Sequence, residues 1–416
     1  MLQAAELHVD GERLYRELDQ LATFSSTPAP SVTRVLFTET DMAAREYVRE
    51  LMRDAGLEVR EDACGNIFGR WVGSDAGLPG VGSGSHCDAI PYAGKYDGTV
   101  GVLGGIAAVR ALRAASFEPV RSIDIIMFTS EEPTRFGIGC SGSRLMSGAI
   151  EADALAQLTD DDGVRFDEAC RAVGYSGDLA TVRLDDAAYA HFVELHVEQG
   201  PELERESLDI GVVSAIAAPA SFLMRFEGLG GHAGTVLMPD RKDALVPAAL
   251  LVAKLEQLAR ESGSGDSVAT VGMLEVHPGA VNSIPREVQM SFDIRDTDLA
   301  TRERIVAEIQ AEGERLAAER GLKFALEPIN ADPPITADGQ VVEAIEQAVA
   351  SAGLAGQRMV SRAYHDALFM ARIAPTGMIF VPSKDGISHR PDEWTSSLEI
   401  ERGVQVLAAT LAALAS

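Results

Sequence analysis

Residues 80–132 read GVGSGSHCDAIPYAGKYDGTVGVLGGIAAVRALRAASFEPVRSIDIIMFTSEE, and this stretch decides the fold class. It begins with a short glycine-rich run, continues into a helical pattern with small residues at 101–112, and ends with an apolar run at 122–129. Short apolar runs that alternate with helical patterns are typical of α/β proteins, in which helices cover a largely parallel sheet. We therefore expect an α/β domain with a mixed, largely parallel sheet.

The rest of the chain indicates an inserted second domain, as expected for a length of 416 residues. After about residue 212, alternating strand patterns and two long helical patterns replace the α/β pattern. The helix-then-strand pattern returns from about residue 334. We predict a first domain of residues 1–212 and 330–416, interrupted by a small α+β domain of residues 213–329.

Composition and charge argue against several classes of function. The chain has 36 Lys and Arg against 63 Asp and Glu, a formal net charge of −27. Such a field repels nucleic acid and anionic lipid, so we expect neither as a partner. The sequence shows no apolar run of membrane-spanning length and no signal-peptide pattern. Four widely spaced cysteines without a C-x-x-C pair favour a reducing cytoplasm.

Residues with metal-ligand chemistry follow several of the apolar runs. His86 ends the first run of the quoted stretch, Asp97 lies in a Tyr-Asp-Gly turn, and the Glu131–Glu132 pair follows the last run. His389 follows a further apolar run, whereas His196 lies within a short alternating segment. Ligands in parallel α/β sheets bind beyond the carboxyl ends of the strands. Imidazole and carboxylate suit a pair of hard or borderline divalent cations, so the pattern predicts a hydrolase with two metals.

Three acidic residues are given roles by their neighbours. Glu131 and Glu132 are adjacent like charges, so we expect one to bind metal and the other to act as a general base. Asp88 shares a face with His86 in an extended segment, where its carboxylate would accept the second imidazole N–H. Each of these residues alone is commonly a surface or core residue, and only their combination indicates catalysis.

Four segments resemble those of the hydantoinase/carbamoylase family of metal-dependent amidohydrolases, which are relatives of aminoacylases and dinuclear-zinc carboxypeptidases. They are GSHCDAIPYAGKYD at 84–97, FTSEEPTRFG at 128–137, AAPAS at 217–221 and SRAYHD at 361–366. The resemblance extends from about residue 10 to the end of the chain and is closest to the members that hydrolyse ureidoglycolate. It implies two Zn²⁺ or Mn²⁺ ions per subunit, and the oxygen and nitrogen ligands permit either metal.

The resemblance implies a role for each candidate in the metal centre. One metal would be held by His86, Asp97 and His196, and the other by Asp97, Glu132 and His389. Glu131 would be the general base, with Asp88 beside the metal ligand His86. Gln199 would contact the ureido group of the substrate.

The resemblance also implies that the inserted domain is both a lid and a dimerisation domain. His232 would stabilise the tetrahedral oxyanion, and Asn282 and Arg295 would bind the substrate. These three would reach the active site of the neighbouring subunit, so that a homodimer is needed for activity. The residues by themselves also permit a simple turn role for His232 and a surface ion pair of Arg295 with Asp293 or Asp296.

One departure from the family pattern bears on the substrate. Many members carry Gly-Ala-Gly before the segment His365–Asp366, where this chain has Arg362, Ala363 and Tyr364. If these side chains face the pocket, they make it smaller and more cationic, which favours a small anionic ureido acid. We therefore expect hydrolysis of the ureido C–N bond, most of all in ureidoglycolate, with release of ammonia and CO2.

Other functions remain open at this point. The substrate could instead be an N-carbamoyl-L-amino acid, N-carbamoyl-β-alanine or allantoate, and the same metal site would also suit a peptidase or aminoacylase. A different class of function is a binding protein that keeps the fold without catalysis. That class would lack a ligand or the base, whereas all five ligands and Glu131 are present.

Overall fold

A computed structural model gives the fold and describes residues 4–416. The chain forms two compact units. The first unit contains the chain up to Ser214, Ala337–Met359 and His365–Ser416, and the second contains Ala215–Thr336 and Val360–Tyr364. The second unit thus begins and ends slightly later than the inserted domain predicted from the sequence. It also takes in a short C-terminal segment that the sequence did not indicate.

The strands and helices of the described residues follow one another as the sequence patterns indicate. The strands are β1 (Val32–Arg34), β2 (Glu58–Glu61), β3 (Ile67–Trp71), β4 (Gly80–His86), β5 (Ala89–Ala93), β6 (Ile123–Phe128), β7 (Tyr189–Val197), β8 (Ile210–Ile216), β9 (Ala218–Glu227), β10 (Gly231–His232), β11 (Val268–His277), β12 (Ser283–Ile284), β13 (Glu287–Asp296), β14 (Lys323–Ala331), β15 (Ile335–Thr336), β16 (Gly356–Ser361) and β17 (Thr376–Val381). The helices are α1 (Gly11–Ala22), α2 (Glu39–Asp54), α3 (Thr99–Ala114), α4 (Ser141–Ser147), α5 (Ala152–Ala156), α6 (Phe166–Ala172), α7 (Glu202–Glu206), α8 (Leu245–Arg260), α9 (Leu299–Arg320), α10 (Gly339–Ala352), α11 (Asp366–Met370) and α12 (Ser397–Leu414). None of these helices is long and apolar enough to cross a membrane.

The large sheet is mixed, with parallel strands at its centre. Its strand order is β15-β8-β17-β7-β4-β6-β3-β2, and β16 pairs with β8 beside this path. The four strands β17, β7, β4 and β6 are parallel to one another, whereas β8, β3 and β2 pair in antiparallel fashion. The predicted mixed α/β class is confirmed. The parallel strands bring four carboxyl ends to one edge of the sheet.

Helix α3 packs closely on the central strands because its first turns contain glycine. A Cβ atom on Gly101 would lie 2.4 Å from the carbonyl oxygen of Leu195 in β7, a distance at which the backbones could not pack as they do. The predicted small-residue face therefore explains the close contact between helix and sheet. Because α3 begins at Thr99, this packing also fixes the turn immediately before it, which contains Asp97.

A buried ion pair ties helix α2 to the edge of the same unit. The Nε of Arg45 donates to Asp41 at 2.8 Å, and both side chains are fully buried. Asp41 also accepts the backbone N–H of Phe37, and Arg45 donates to the carbonyl of Gly65 at 2.7 Å. The buried ion pair therefore joins helix α2 to the loops that contain Phe37 and Gly65.

The second unit is a four-stranded antiparallel sheet with two long helices. Its strand order is β11-β13-β9-β14, which leaves β11 at one edge. Buried and partly exposed residues alternate along β9 and β13, and the buried ones form a core with α8 and α9. A short ribbon of β10 and β12 extends the unit, with His232 opposite Ser283.

We expect the substitution Arg45→Met to lower the free energy of unfolding by about 3–5 kcal/mol, because it leaves the Asp41 carboxylate buried without its cation. Urea denaturation followed by circular dichroism measures the change. Arg358→Met is the matched control, since it removes an ion pair with Glu346 whose side chains are 61% and 38% exposed. The control substitution should lower the free energy of unfolding by less than about 1 kcal/mol. Equal losses in the two variants would contradict a stabilising role for the buried pair.

Candidate metal centre

The five predicted metal ligands all lie in the first unit, at the carboxyl edge of the parallel strands or in the adjoining turns. His86 is the last residue of β4, and His196 is the last but one of β7. Glu132 follows β6, and His389 lies in the loop that follows β17. His196 therefore obeys the same strand-end rule as the other histidines. The sequence did not reveal this, because its alternating segment conceals where β7 ends.

The carboxylate of Asp97 lies at the centre of this group. Its Oδ1 is 3.4 Å from Nε2 of His86 and 3.2 Å from Nε2 of His196. Its Oδ2 is 3.2 Å from Nε2 of His389, which in turn is 3.6 Å from Oε1 of Glu132. The structure thus brings together two sets of side chains that could each hold a cation. We call them the first ligand set (His86, Asp97 and His196) and the second ligand set (Asp97, Glu132 and His389).

The hydrogen bonds of the two buried histidines fit cation binding. Nδ1 of His86 lies 3.1 Å from the carbonyl of Asp88, and Nδ1 of His196 lies 2.8 Å from the carbonyl of Val197. Since a carbonyl only accepts, each Nδ1 carries a proton, which leaves Nε2 as the ring atom that faces the carboxylate of Asp97. Without a cation, a proton shared between Nε2 and Asp97 supplies the positive charge there, and a bound cation would take the place of that proton. Nitrogen and oxygen donors that face one another in this way suit a divalent cation such as Zn²⁺ or Mn²⁺.

A third group of possible ligands belongs to the layer behind these histidines. Glu194, His196 and His365 also lie within ligand distance of one another. The carboxylate of Glu194, however, accepts the hydroxyl of Ser85 at 2.7 Å and the N–H of Ala367 at 2.8 Å. The ring of His365 packs edge-on against His196, with the centroids 4.5 Å apart. These groups therefore support His196 rather than form a separate site.

The role expected for the Asp88 side chain needs correction. The backbone carbonyl of Asp88 is the partner of His86, whereas its carboxylate is 3.6 Å from the same nitrogen. The carboxylate instead accepts the backbone N–H groups of Glu131 at 3.3 Å and Glu132 at 2.9 Å. Because the chain bends after His86, the side chain turns toward the end of β6 and holds the glutamate pair in place.

The two adjacent glutamates have different surroundings. Oε2 of Glu131 is 3.6 Å from Nε2 of His86, and its Oε1 faces the thiol of Cys140 at 3.6 Å. Glu132 belongs to the second ligand set, whereas Glu131 belongs to neither set. This difference fits the expected division into one ligand and one base.

Burial changes the proton affinities of the centre. It raises the pKa of Glu131 well above its ordinary value, with Glu132 adding to the shift, and it raises the pKa of Glu132 to about 7, with Asp97 adding. The pKa of Asp97 lies well below its ordinary value because hydrogen bonds from three histidines outweigh its burial. The hydrogen bond with Asp97 raises the pKa of His389 to about 9. A cluster of buried acids that shares histidine protons is an environment that favours cations.

Backbone strain is concentrated at the same place. Ser130, Gln199 and His389 have positive φ angles of 57°, 56° and 58°, which are uncommon for residues other than glycine. Ser130 immediately precedes the glutamate pair, and His389 is itself a ligand candidate. Strain of this kind persists where the surrounding structure fixes the backbone, and it is frequent at functional sites.

Gln199 lies beside Asp97, within the same centre. Its Nε2 donates to Oδ2 of Asp97 at 2.8 Å, and its backbone N–H donates to the hydroxyl of Ser383. Its amide oxygen is buried and has no hydrogen-bond partner among residues 4–416. An unpaired buried acceptor near the ligand sets is suited to the N–H groups of a substrate.

The other predicted substrate residues lie in the second unit. His232 and Asn282 come together in the β10–β12 ribbon, where the carbonyl of Asn282 accepts the N–H of Ala233. His232 is exposed, and its Nδ1 accepts the N–H of Gly234 at 3.0 Å. The turn role that the sequence permitted for His232 is thus present.

Arg295, Arg362 and Tyr364 are already paired within the second unit. Arg295 donates to Asp293 at 2.7 Å, the ion pair that the sequence left open, and to the carbonyl of Arg362 at 2.8 Å. Arg362 donates to Asp266 at 2.6 Å, and the hydroxyl of Tyr364 donates to Asp332.

Sequence reasoning missed two residues next to Asp97. Ser388 and Glu393 both lie in the loop of His389, and their side chains contact the turn that contains Asp97. Their nearness to His389 in the sequence is the signal that could have drawn attention to them. A serine and a glutamate in the polar segment SHRPDE (388–393) do not otherwise stand out.

Comparison with known proteins identifies relatives over nearly the full chain. Residues 83–413 match the model of Peptidase family M20/M25/M40. Ureidoglycolate hydrolase of Arabidopsis thaliana is 52% identical over 418 residues, covering 99% of this chain and 88% of that protein. N-carbamoyl-L-amino-acid amidohydrolase of Pseudomonas sp. (strain NS671) is 37% identical, covering 96% and 97%. The crystal structure of AtUAH in complex with glyoxylate is 50% identical, covers 99% of both chains and has a TM-score of 0.89.

These relatives confirm the metal-dependent amidohydrolase family inferred from the motifs, and with it a hydrolase that acts on C–N bonds. The family is metal-dependent, which agrees with the two ligand sets around Asp97. Because the family match covers most of the chain and the relatives are similar over nearly all of it, this chain belongs to Peptidase family M20/M25/M40.

Proposed function

We propose that the protein is an amidohydrolase that cleaves the ureido C–N bond of ureidoglycolate and releases ammonia and CO2. The observation that carries this proposal is the full-length 52% identity to a ureidoglycolate hydrolase, together with the two complete ligand sets around Asp97. Glyoxylate, which occupies the similar AtUAH structure, is a small carboxylate with the carbon skeleton that remains when the ureido group is lost. N-carbamoyl-L-amino acids are the alternative, supported by the 37% identical relative.

The two ligand sets would each hold one Mn²⁺ or Zn²⁺ ion, with Asp97 between the two. Bound there, the cations supply the Lewis acidity that polarises the carbamoyl carbonyl and makes water more acidic. Glu131 lies beside the first ligand set without belonging to it, so its carboxylate is free to take a proton from the attacking water. Glu131 then returns this proton to the leaving nitrogen. The carboxylate of Asp88 holds Glu131 and Glu132 by their backbone N–H groups.

Gln199 would bind the substrate in its own subunit, and His232, Asn282 and Arg295 of a neighbouring subunit would complete the binding. The unpaired amide oxygen of Gln199 would accept a hydrogen bond from the ureido nitrogen. His232 suits the tetrahedral oxyanion because its Nδ1 accepts a backbone N–H, which leaves the proton of the neutral ring on Nε2 as a donor. Arg295 retains N–H donors beyond those that bond Asp293 and Arg362, and with Asn282 it would bind the substrate carboxylate.

The protein would act as a homodimer in which His232, Asn282 and Arg295 complete the neighbouring active site. The second unit offers a surface for this, since β11 is an edge strand with exposed Val268 and Leu274. An open cavity of about 770 Å³ lies between α8 and β11 and is lined largely by apolar residues. A free apolar strand edge beside such a cavity is suited to pairing with a second copy.

The β10–β12 ribbon, which contains His232, is also flanked by exposed apolar side chains. They are Leu229, Leu237, Met238 and Val281. Large exposed apolar side chains close to one another commonly mark a contact surface. Their position around His232 and Asn282 supports the insertion of this ribbon into a neighbouring subunit.

We also propose that the protein works in the cytoplasm. Its four cysteines (Cys64, Cys87, Cys140 and Cys170) are all free and buried. Free thiols without any disulfide pairing are typical of a reducing compartment.

Glu131→Gln is expected to lower kcat by about 10²–10⁴-fold, because glutamine cannot accept the proton of water. Metal content, measured by plasma emission spectrometry, should stay that of the wild type, since Glu131 belongs to neither ligand set. The matched control Glu346→Gln changes a half-buried glutamate that pairs with Arg358 and belongs to neither ligand set, and it should retain full activity. Near-normal turnover of Glu131→Gln would refute the assignment of the base.

Ammonia release from ureidoglycolate, N-carbamoyl-β-alanine, N-carbamoyl-L-amino acids and allantoate tests the substrate. We expect the highest kcat/KM with ureidoglycolate. On the sequence-based prediction that Arg362 and Tyr364 face the pocket, the double substitution Arg362→Gly and Tyr364→Gly should reduce that preference by about tenfold or more, because it would enlarge the pocket and remove a cation. Arg358→Met, an exposed arginine of the first unit, should leave the preference unchanged. A wild-type preference for N-carbamoyl amino acids would select the alternative function.

Mixing two inactive variants tests the shared active site. Glu131→Gln keeps a normal His232, and His232→Ala keeps a normal Glu131. If His232 serves the neighbouring subunit, dissociation and reassociation of the mixture should restore about a quarter of wild-type activity, because half of the dimers then contain one complete site. No recovery, with subunit exchange verified by mass spectrometry, would show that each subunit uses its own His232.

A further inference from the structure

Two loops of the first unit meet beside the metal centre. One is the turn before α3, which contains Tyr96 and Asp97, and the other follows β17 and contains Ser388, His389 and Glu393. Asp97 belongs to both ligand sets and His389 belongs to the second alone. The relative position of these two loops therefore decides whether the second ligand set is formed.

Glu393 holds the backbone of the first loop. Its side chain is buried, with 5% of the residue exposed. Its Oε1 accepts the N–H of Tyr96 at 2.9 Å and the N–H of Asp97 at 3.1 Å. Both bonds fix the backbone from which the Asp97 carboxylate projects, so the direction of that carboxylate depends on Glu393.

The second carboxylate oxygen of Glu393 acts within its own loop. It lies 3.0 Å from the hydroxyl of Ser388, which also lies 3.0 Å from Oδ2 of Asp97. A serine hydroxyl has one proton, which it can donate to either carboxylate, so Ser388 lies between Glu393 and Asp97 and bonds one of them at a time. Ser388 immediately precedes His389, and this contact joins the loop of His389 to the carboxylate that His389 must face.

We propose that Glu393 is a positioning residue that, with Ser388, sets Asp97 against His389 and so preforms the second ligand set. The inference rests on the proposed two-metal function. It assigns Glu393 no contact with the substrate. Carboxylates that hold ligands from behind commonly change metal affinity by 10–100-fold when they are replaced.

The two ligand sets depend on Glu393 to different degrees. His86 and His196 are 2% and 1% exposed and are held by backbone carbonyls on their own strands and loops. The His389 side chain is 48% exposed and lies in a strained loop. Loss of Glu393 should therefore lower the cation affinity of the second ligand set far more than that of the first.

Close packing around Glu393 provides an independent way to disturb it. A Cβ atom on Gly94 would lie 2.4 Å from Cβ of Glu393 and 2.5 Å from its Oε1. Gly94→Ala would therefore displace the glutamate without removing any hydrogen-bonding group. Gly94→Ala should therefore weaken cation binding by the second ligand set, as a substitution of Glu393 itself should.

The test is a titration of chelator-treated protein with Mn²⁺, in which the electron paramagnetic resonance signal of free Mn²⁺ gives two dissociation constants. We expect Glu393→Ala to weaken the constant of the second ligand set by about 10–100-fold. The constant of the first ligand set should weaken by a smaller factor, because Asp97 belongs to both sets whereas His389 belongs to the second alone. Glu393→Gln should lose less than Glu393→Ala, because its amide oxygen still accepts the two N–H groups. Ser388→Ala should also weaken the constant of the second ligand set.

Glu399→Ala is the matched control. Glu399 lies six residues further along and forms the capping box of α12 with Ser396, so its loss should lower thermal stability and leave both metal constants unchanged. Equal weakening of both constants by Glu393→Ala, or a loss of stability alone, would overturn the positioning role. A wild-type protein that binds fewer than two cations would instead refute the proposed function, which keeps the two failures distinct.

Discussion

The arrangement of the candidate metal centre depends on one buried carboxylate, that of Asp97, which faces three histidines at once. Burial of a carboxylate is costly unless it is paired, and here further buried acids lie close by, among them Glu131, Glu132 and Glu393. Backbone N–H groups and imidazoles compensate part of this cost within the described residues. Bound divalent cations would compensate the rest, which is why this accumulation of acids is a property of a metal centre rather than of an ordinary core.

The fold meets this constraint by using the edge of a parallel sheet. Parallel neighbours end at the same edge, so β4, β6, β7 and β17 direct their last residues and following loops to one place without long connections. Helix α3 then fixes the Asp97 turn by packing directly on the sheet. The strained backbone of Ser130, Gln199 and His389 shows that local stability has been given up for ligand placement.

The second unit has a different physical character. Its core is complete in itself, yet it leaves an apolar strand edge, an open cavity and exposed apolar residues around His232. Such features are suited to contact with a second copy, as the proposed homodimer requires. Arg295, Arg362 and Tyr364 already have acidic or carbonyl partners. Their side chains are therefore held in defined orientations before any substrate arrives.

The sequence by itself determined the α/β class, the inserted α+β unit and the identity of the metal-ligand candidates, because these follow from local periodicity and from residue chemistry. It also predicted different roles for Glu131 and Glu132, since adjacent like charges repel, and the family resemblance then indicated Glu131 as the base. Only the tertiary structure decided that the Asp88 carboxylate holds the glutamate pair rather than His86, and that His196 lies at a strand end. The contribution of Glu393 was equally invisible, because its partners Tyr96 and Asp97 are almost 300 residues away in the chain. Hydrogen bonds between distant segments leave no periodic signal in the sequence, so such partnerships appear only when the chain has folded.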